Sequence, residues 1–333
     1  MTEWLARNCK LSTEKFAQFK IILYLCGVIR NQHKYIMKKF LLSAICAMAV
    51  LFAGCEQNEP SKKDKGSSTT KSYGLFSVSA DKQVTFSLGN LQYTQSTNTW
   101  SFASAQYEVL GTDNVIDGTV TSDESGYDKS GTALADKVDL FGWSTAATNF
   151  GVSTSTDYDD YSGSFVDWGT NKIGNDAPNT WRTLSKDEWM YIFYNRPNAQ
   201  SLFALGSVNG VNGTIILPDN WTTPAGVSFV ASTTNGLSWQ DCYYYNSNGT
   251  NYGDNTYTSE QWSKMEQAGA VFLPVSGSRW GTDVLSVGTG FYWSSTESAE
   301  DRSYRVFFDS SYLDSQYDYN RYVGFSVRLA QDL

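Results

Sequence analysis

Residues 291–329 read FYWSSTESAEDRSYRVFFDSSYLDSQYDYNRYVGFSVRL. Two runs within this stretch, Tyr304-Arg305-Val306-Phe307-Phe308 and Gly324-Phe325-Ser326-Val327-Arg328-Leu329, alternate apolar with polar positions. Side chains of a strand point to opposite faces in turn, so each run predicts a strand with one buried face. Between and before them lies a crowd of Ser, Tyr, Asp, Asn and Arg, which predicts a loop flanked by the two strands. Tyrosine offers large contact area at little conformational cost, and Ser, Asn and Asp make adaptable hydrogen bonds. The expected ligand-facing set is Ser298, Asp301, Ser303, Asp309, Ser311, Tyr312, Asp314, Tyr317, Tyr319, Asn320 and Tyr322, joined by Trp280 from the polar segment Ser278-Arg279-Trp280-Gly281. A solvated loop without a partner is the alternative reading. Arg321 and Arg328 are expected to pair with local carboxylates or carbonyls.

Upstream, residues 74–78, 83–87 and 90–93 read as short strands, with Ala80-Asp81-Lys82 as the turn of a hairpin, and 98–102 and 106–110 continue the pattern. Segments 111–137 and 144–180 are rich in Gly, Asp, Ser and Thr and predict long irregular loops. Ser185-Lys186-Asp187-Glu188 is a capping box that opens a helix with Trp189, Ile192 and Phe193 on its apolar face, closed by Pro197. A second helix starts near Thr258-Ser259-Glu260-Gln261, buries Trp262 and Met265, and ends at Gly269. Strands, two helices, then strands again predict an α+β fold with one core. Trp189, Trp262 and Trp293 are expected in that core.

The phrases Trp181-Arg182-Thr183-Leu184-Ser185-Lys186-Asp187-Glu188-Trp189, Gly269-Ala270-Val271-Phe272-Leu273-Pro274, Tyr292-Trp293-Ser294-Ser295 and Gly324-Phe325-Ser326-Val327-Arg328-Leu329 stand in a telling order. In them, over most of 74–329, the chain resembles the C-type-lectin-like domain of bacterial surface lipoproteins of the Fibrobacter succinogenes major paralogous domain type. That branch is similar to the variable proteins diversified by retroelements. The resemblance implies a C-type-lectin-like fold (formylglycine-generating-enzyme-like branch), with two helices packed on antiparallel sheets with long loops. It also implies a ligand-facing C-terminal region. Adenine-directed mutation of Asn codons yields Tyr, Ser, Asp and Asn, so under that mechanism Glu297, Glu300 and Gln316 are fixed positions. The same fold carries sulfatase-activating oxidases, whose copper site uses a cysteine pair.

The start of the chain speaks to location. Met37-Lys38-Lys39 is followed by an apolar run over 40–53 and then Gly54-Cys55, the pattern of a secretory signal peptide. Leu51-Phe52-Ala53-Gly54-Cys55 looks like a lipobox, with cleavage before Cys55 and acylation of its thiol. Ordinary secretion with Cys55 as a bystander is the alternative. Segment 1–36 reads as an upstream extension from an early start codon, or as an extra segment around 21–29 too short to span. Residues 55–72 are polar and read as a flexible tether. The expected division is extension 1–36, signal 37–54, tether 55–72 and binding domain 73–333. The expected place is the outer membrane, lipid-anchored and facing the cell surface.

Composition then narrows the chemistry. The first 54 residues hold eight of the 25 basic and two of the 34 acidic side chains, so the remainder carries a net charge near −15. A phosphate backbone is repelled by such a surface, so nucleic acid is not an expected partner. The one histidine, His33, and all cysteines except Cys55 and Cys242 lie in that leader. Histidine-based triads, His-ligated metals, a copper cysteine pair and an internal disulfide therefore have no residues to use. Cys242 reads as a buried structural thiol. Asp157-Tyr158-Asp159-Asp160 lacks the ligand spacing of a recognisable calcium loop. No cofactor is indicated. The expected function is binding of a protein or glycan ligand, not catalysis. A structural or adhesive subunit, or a carboxylate-only glycosidase, are the alternatives.

Overall fold

A computed structural model describes residues 74–121, 128–231, 244–245, 250–310 and 312–333, with backbone alone at 146–148, 244–245 and 312. All lie in the compact unit Thr70–Leu333. The fold is mostly sheet, with two short α-helices among the described residues. The strands are β1 (Phe76–Ser77), β2 (Gln83–Phe86), β3 (Leu91–Thr94), β4 (Thr99–Phe102), β5 (Phe203–Val208), β6 (Val211–Ile216), β7 (Val271–Pro274), β8 (Ser278–Trp280), β9 (Gly290–Ala299), β10 (Arg302–Phe308), β11 (Tyr312–Asn320) and β12 (Leu329–Asp332), with shorter pieces between. The helices are α1 (Lys186–Met190) and α2 (Ser259–Gln267).

The centre of the molecule is the antiparallel meander β9–β10–β11. Its pleat sends alternate side chains into two different apolar clusters. Tyr292, Val306, Phe308 and Leu313 join Phe76, Phe86, Leu184, Trp189 and Phe193 on one side. Phe291 and Trp293 join Tyr93, Trp100, Phe141, Trp168, Phe325 and Val327 on the other. Both faces are thus covered along β9, where residues 290–294 are all buried and Phe291-Tyr292-Trp293 is an unbroken apolar run rather than one with a single buried face.

Two expectations for this region are corrected. Residues 312–320 form a strand, not a loop. The free edge of β10 needs hydrogen-bond partners, and alternate tyrosines at 317 and 319 suit a pleated surface. Conversely, 324–326 makes only isolated bridges, to Arg279, Phe141 and Tyr292, and the ladder strand β12 begins at Leu329. The alternation does not report one buried face either: Phe325, Val327 and Leu329 are in the core, and so are Ser326 and Arg328 between them.

Both capping boxes form. Ser185 Oγ accepts from the Glu188 amide at 3.2 Å while Glu188 accepts from the Ser185 amide at 2.8 Å. Thr258 and Gln261 do the same at 3.2 and 2.9 Å. The first helix continues as a π-turn over Tyr191–Asn195 before Pro197, and Gly269 takes φ +95° after α2. Trp189, Trp262 and Trp293 are buried as expected.

Three further differences concern the loops and the first strands. Residues 106–110 do not form a strand. Gln106 turns inward instead, donating to Glu266 and the Ala270 carbonyl and accepting from the Phe272 amide at 2.6 Å. Segment 111–137 holds short pairings, Val115–Ile116 with Ala133–Leu134 and Thr119–Val120 with Lys129–Ser130. The β5–β6 hairpin closes on Asn209 and Gly210, both at positive φ. Its Asn-Gly pair is a sequence-level hairpin signal. Segment 144–180 is irregular, as its composition predicts, apart from short 3₁₀ helices at Ala146–Gly151, Asp159–Tyr161 and Trp168–Thr170.

Irregular backbone leaves carbonyls without ladder partners, and buried arginines serve them. Arg279, fully enclosed, makes five hydrogen bonds to the carbonyls of Leu140, Gly151, Ser153 and Gly281. Arg321 donates to the carbonyls of Ala299, Arg302, Tyr161 and Gly163, and pairs with Glu297 at 3.1 Å. Arg328 donates to the carbonyls of Ser87 and Phe272. Arg196 holds the Ile192, Leu202 and Leu217 carbonyls and Asp219. Arg321 and Arg328 thus pair locally, as read from the sequence. A guanidinium carries five donors in a fixed fork, which no other side chain offers.

Candidate functional site

The register of the meander decides which of the expected binding residues can act together. An antiparallel strand rises about 3.4 Å per residue, so the two ends of β10 are about 20 Å apart. Asp309, Asp314 and the backbone of Tyr312 belong to the end where β10 gives way to β11. Ser298, Asp301, Ser303, Tyr319, Asn320 and Tyr322 belong to the other, with Tyr317 between. The twelve residues therefore do not form one site. Ser311 lies outside the described residues, as does the side chain of Tyr312. Cys242 and Cys55 are outside them too.

Three of the expected residues face inward, which is a correction. Ser303 is fully buried in the middle strand, where both neighbours cover it. Asp314 is buried beside the bulge of β10 and β11, accepts from the Gln316 amide at 2.7 Å, and has its pKa raised by that burial. Tyr322 is 7% exposed because Tyr158 and Trp280 close over it. Ser298 and Asp318 are half-buried and engaged with each other at 2.5 Å, and Arg302 grips Asp318 at 2.7 Å. Burial pushes the Asp318 carboxyl up, but these bonds outweigh it and hold it below the usual range.

What remains is an aromatic surface. Trp280, half-buried at the end of β8, meets Tyr322 edge-on at 5.6 Å and Tyr319 at 6.0 Å between ring centroids. Tyr158, 46% exposed, packs edge-on against Tyr322 at 5.2 Å. Tyr317 is 43% exposed and lies beside Phe307. Arg305 sits beneath, its guanidinium 5.4 Å from the Tyr317 ring, 4.8 Å from Tyr319 and 5.1 Å from Phe325. Cation–π contacts and ring-edge contacts fix these rings from below. Asn320 closes one side, donating to the Tyr322 hydroxyl at 3.2 Å.

Composition points to Trp280, Tyr317, Tyr319 and Asn320, and the fold brings them together with Tyr158, which in the sequence is simply part of the acidic stretch 157–160. No local signal in the sequence links 158 to 322. The link is made by Arg279 and Arg321, which tie the loop's carbonyls to β8 and to the chain after β11.

A second concavity lies beside α1, lined by Lys82, Phe165, Asp167, Arg182, Glu188 and Asp332, among others. Its carboxylates hold the fold. Arg182 binds Glu188 at 2.7 Å and Asp332 at 2.6 Å. Asp167 accepts from the Gly169 and Thr183 amides and the Thr183 hydroxyl. Among the described residues no group of three or more His, Cys, Asp or Glu is placed to hold a metal ion. Comparison with protein-family models, with curated proteins and with solved structures gave no match.

Proposed function

We propose that this protein is a lipid-anchored binding protein of the outer membrane, displayed at the cell surface on a C-type-lectin-like domain. It takes a protein or glycan partner on the surface of Tyr158, Trp280, Tyr317 and Tyr319, and performs no catalysis. Cys55 carries the anchor, and residues 55–72 are the tether. Retroelement-driven variation of the Tyr, Ser, Asp and Asn positions after residue 297 belongs to the same proposal.

The observation that carries this reading is the aromatic surface itself. Four large rings stay partly open to water while strands and a buried guanidinium hold their positions. Rings ordered in advance lose little freedom when a partner arrives, so their contact area converts efficiently into affinity. Anchors of this kind are worth about 2 kcal/mol or more each, roughly thirtyfold in affinity. The test is an array of glycans and surface proteins probed with the full chain in detergent. Tyr317→Ala with Tyr319→Ala is expected to abolish capture of any hit. Undiminished capture by that variant would remove the site.

A further inference from the structure

We propose that the aromatic surface docks a basic segment of a protein partner, with Lys or Arg side chains set against the rings and the carboxylates around them. This deepens the reading above and rests on it. The basis is charge complementarity read from register.

Glu297, Ser303 and Tyr319 stand in one rank across β9, β10 and β11, which brings an exposed carboxylate level with a ring of the surface. Glu300 and Asp301 occupy the turn beside Asn320, where the Arg321 amide donates to the Asp301 carbonyl. Asp283 is the cross-strand neighbour of Trp280. Asp157, Asp159 and Asp160 flank Tyr158, and all three are exposed.

The cations of the same region are placed differently. Arg279 is buried against carbonyls, Arg321 is buried against carbonyls and pairs with Glu297 at 3.1 Å, and Arg305 is buried under the rings. Arg302 is held by Asp318. With Glu297 and Asp318 set aside as partners of Arg321 and Arg302, six carboxylates remain in the rim around the rings: Asp157, Asp159, Asp160, Asp283, Glu300 and Asp301. Ring faces and carboxylates both attract a cation, and a Lys or Arg stem adds apolar contact. An anionic ligand is repelled by this rim, and a neutral sugar gains nothing from it.

The test uses the purified full chain in zwitterionic detergent and fluorescence anisotropy. The probes are a labelled peptide of alternating Gly and Lys, its Gly–Glu counterpart, and neutral dextran. The Lys peptide is expected to bind and the other two to stay free. Binding should weaken about tenfold between about 50 and 500 mM NaCl, because the rim charges are exposed to screening. The triple variant Asp157→Asn, Asp159→Asn, Asp160→Asn should weaken it about tenfold. The control triple Asp81→Asn, Asp187→Asn, Glu260→Gln removes the same charge on other elements and should change it less than about twofold.

Equal losses in the two triples would reduce the effect to overall acidity and overturn the proposal. So would failure of the Lys peptide to bind. If dextran binds and Tyr317→Ala with Tyr319→Ala abolishes that binding, the surface stands and only the partner class is wrong. If the Lys peptide binds equally well to that tyrosine variant, the surface itself is refuted.

Discussion

Replacing Arg279 is expected to loosen the loop that carries Tyr158 while leaving the meander folded. The side chain is enclosed and serves four carbonyls, those of Leu140, Gly151, Ser153 and Gly281, with bonds of 2.7 to 3.2 Å. Removing a partner from a buried carbonyl costs about 1–3 kcal/mol, so four of them amount to about 6 kcal/mol at the lower middle of that range. Against this stands the penalty of burying the charge. Burial drags the Arg279 pKa from the ordinary guanidinium value down to about 10, and at 1.36 kcal/mol per unit that is about 3 kcal/mol recovered on removal. Arg279→Met is therefore expected to destabilise the unit by about 3 kcal/mol, a fall of about 6–12 °C in Tm for a unit this size. Arg279→Lys keeps the charge but loses the fork and should fall between. Thermal unfolding by circular dichroism gives the first number. Hydrogen exchange gives the second, with faster exchange confined to residues 149–163. A Tm within about 2 °C of the parent, with unchanged exchange in that segment, would falsify the claim that this guanidinium holds the loop.

Ser185→Ala and Thr258→Ala each remove one half of a capping box and should cost about 1 kcal/mol in denaturant unfolding. Asp139 is fully buried, and burial lifts its pKa to about 6 despite hydrogen bonds from the Leu110 amide and Asn114. A raised folded pKa favours the protonated state, so its contribution is complete below about pH 4 and is lost as pH rises through 6. Asp139→Asn should flatten the stability profile in that window, and an unchanged slope would refute the assignment. Gly151 has φ +78°, and a Cβ there would run into the Gly142 carbonyl. Gly151→Ala should destabilise by about 2 kcal/mol or more and release Tyr158 in exchange measurements.

Much of the local structure is legible in order along the chain. Ser185 with Glu188 and Thr258 with Gln261 announce their helices because a cap is satisfied within four residues. Asn209-Gly210 is an equally local signal, a turn with positive φ at both positions, for a hairpin that was not among the expected elements. The strand over 312–320 was hidden by its composition. Its tyrosines and aspartates resemble a loop until the unpaired edge of β10 is known, and that edge exists only once β9 and β10 have met. The reverse holds for 324–327, whose alternation is that of a strand. Its neighbours, Arg279, Phe141 and Tyr292, approach singly, so bridges replace a ladder.

The candidate site divides along the same line. Residue type marked the tyrosines, Asn320 and Trp280 as suited to recognition, and the acidic balance made a polyanion an unexpected partner. Inward-facing Ser303, Asp314 and Tyr322 have the same side-chain types as their exposed neighbours, so composition could not separate them. By itself the sequence determined the caps, the turns, the apolar faces and the sign of the surface, because each depends on residues within a few positions or on simple counts. Only the tertiary structure decided which aromatics share a surface, because Tyr158, Trp280 and Tyr319 are brought together by carbonyl-binding arginines and cross-strand register across more than a hundred residues.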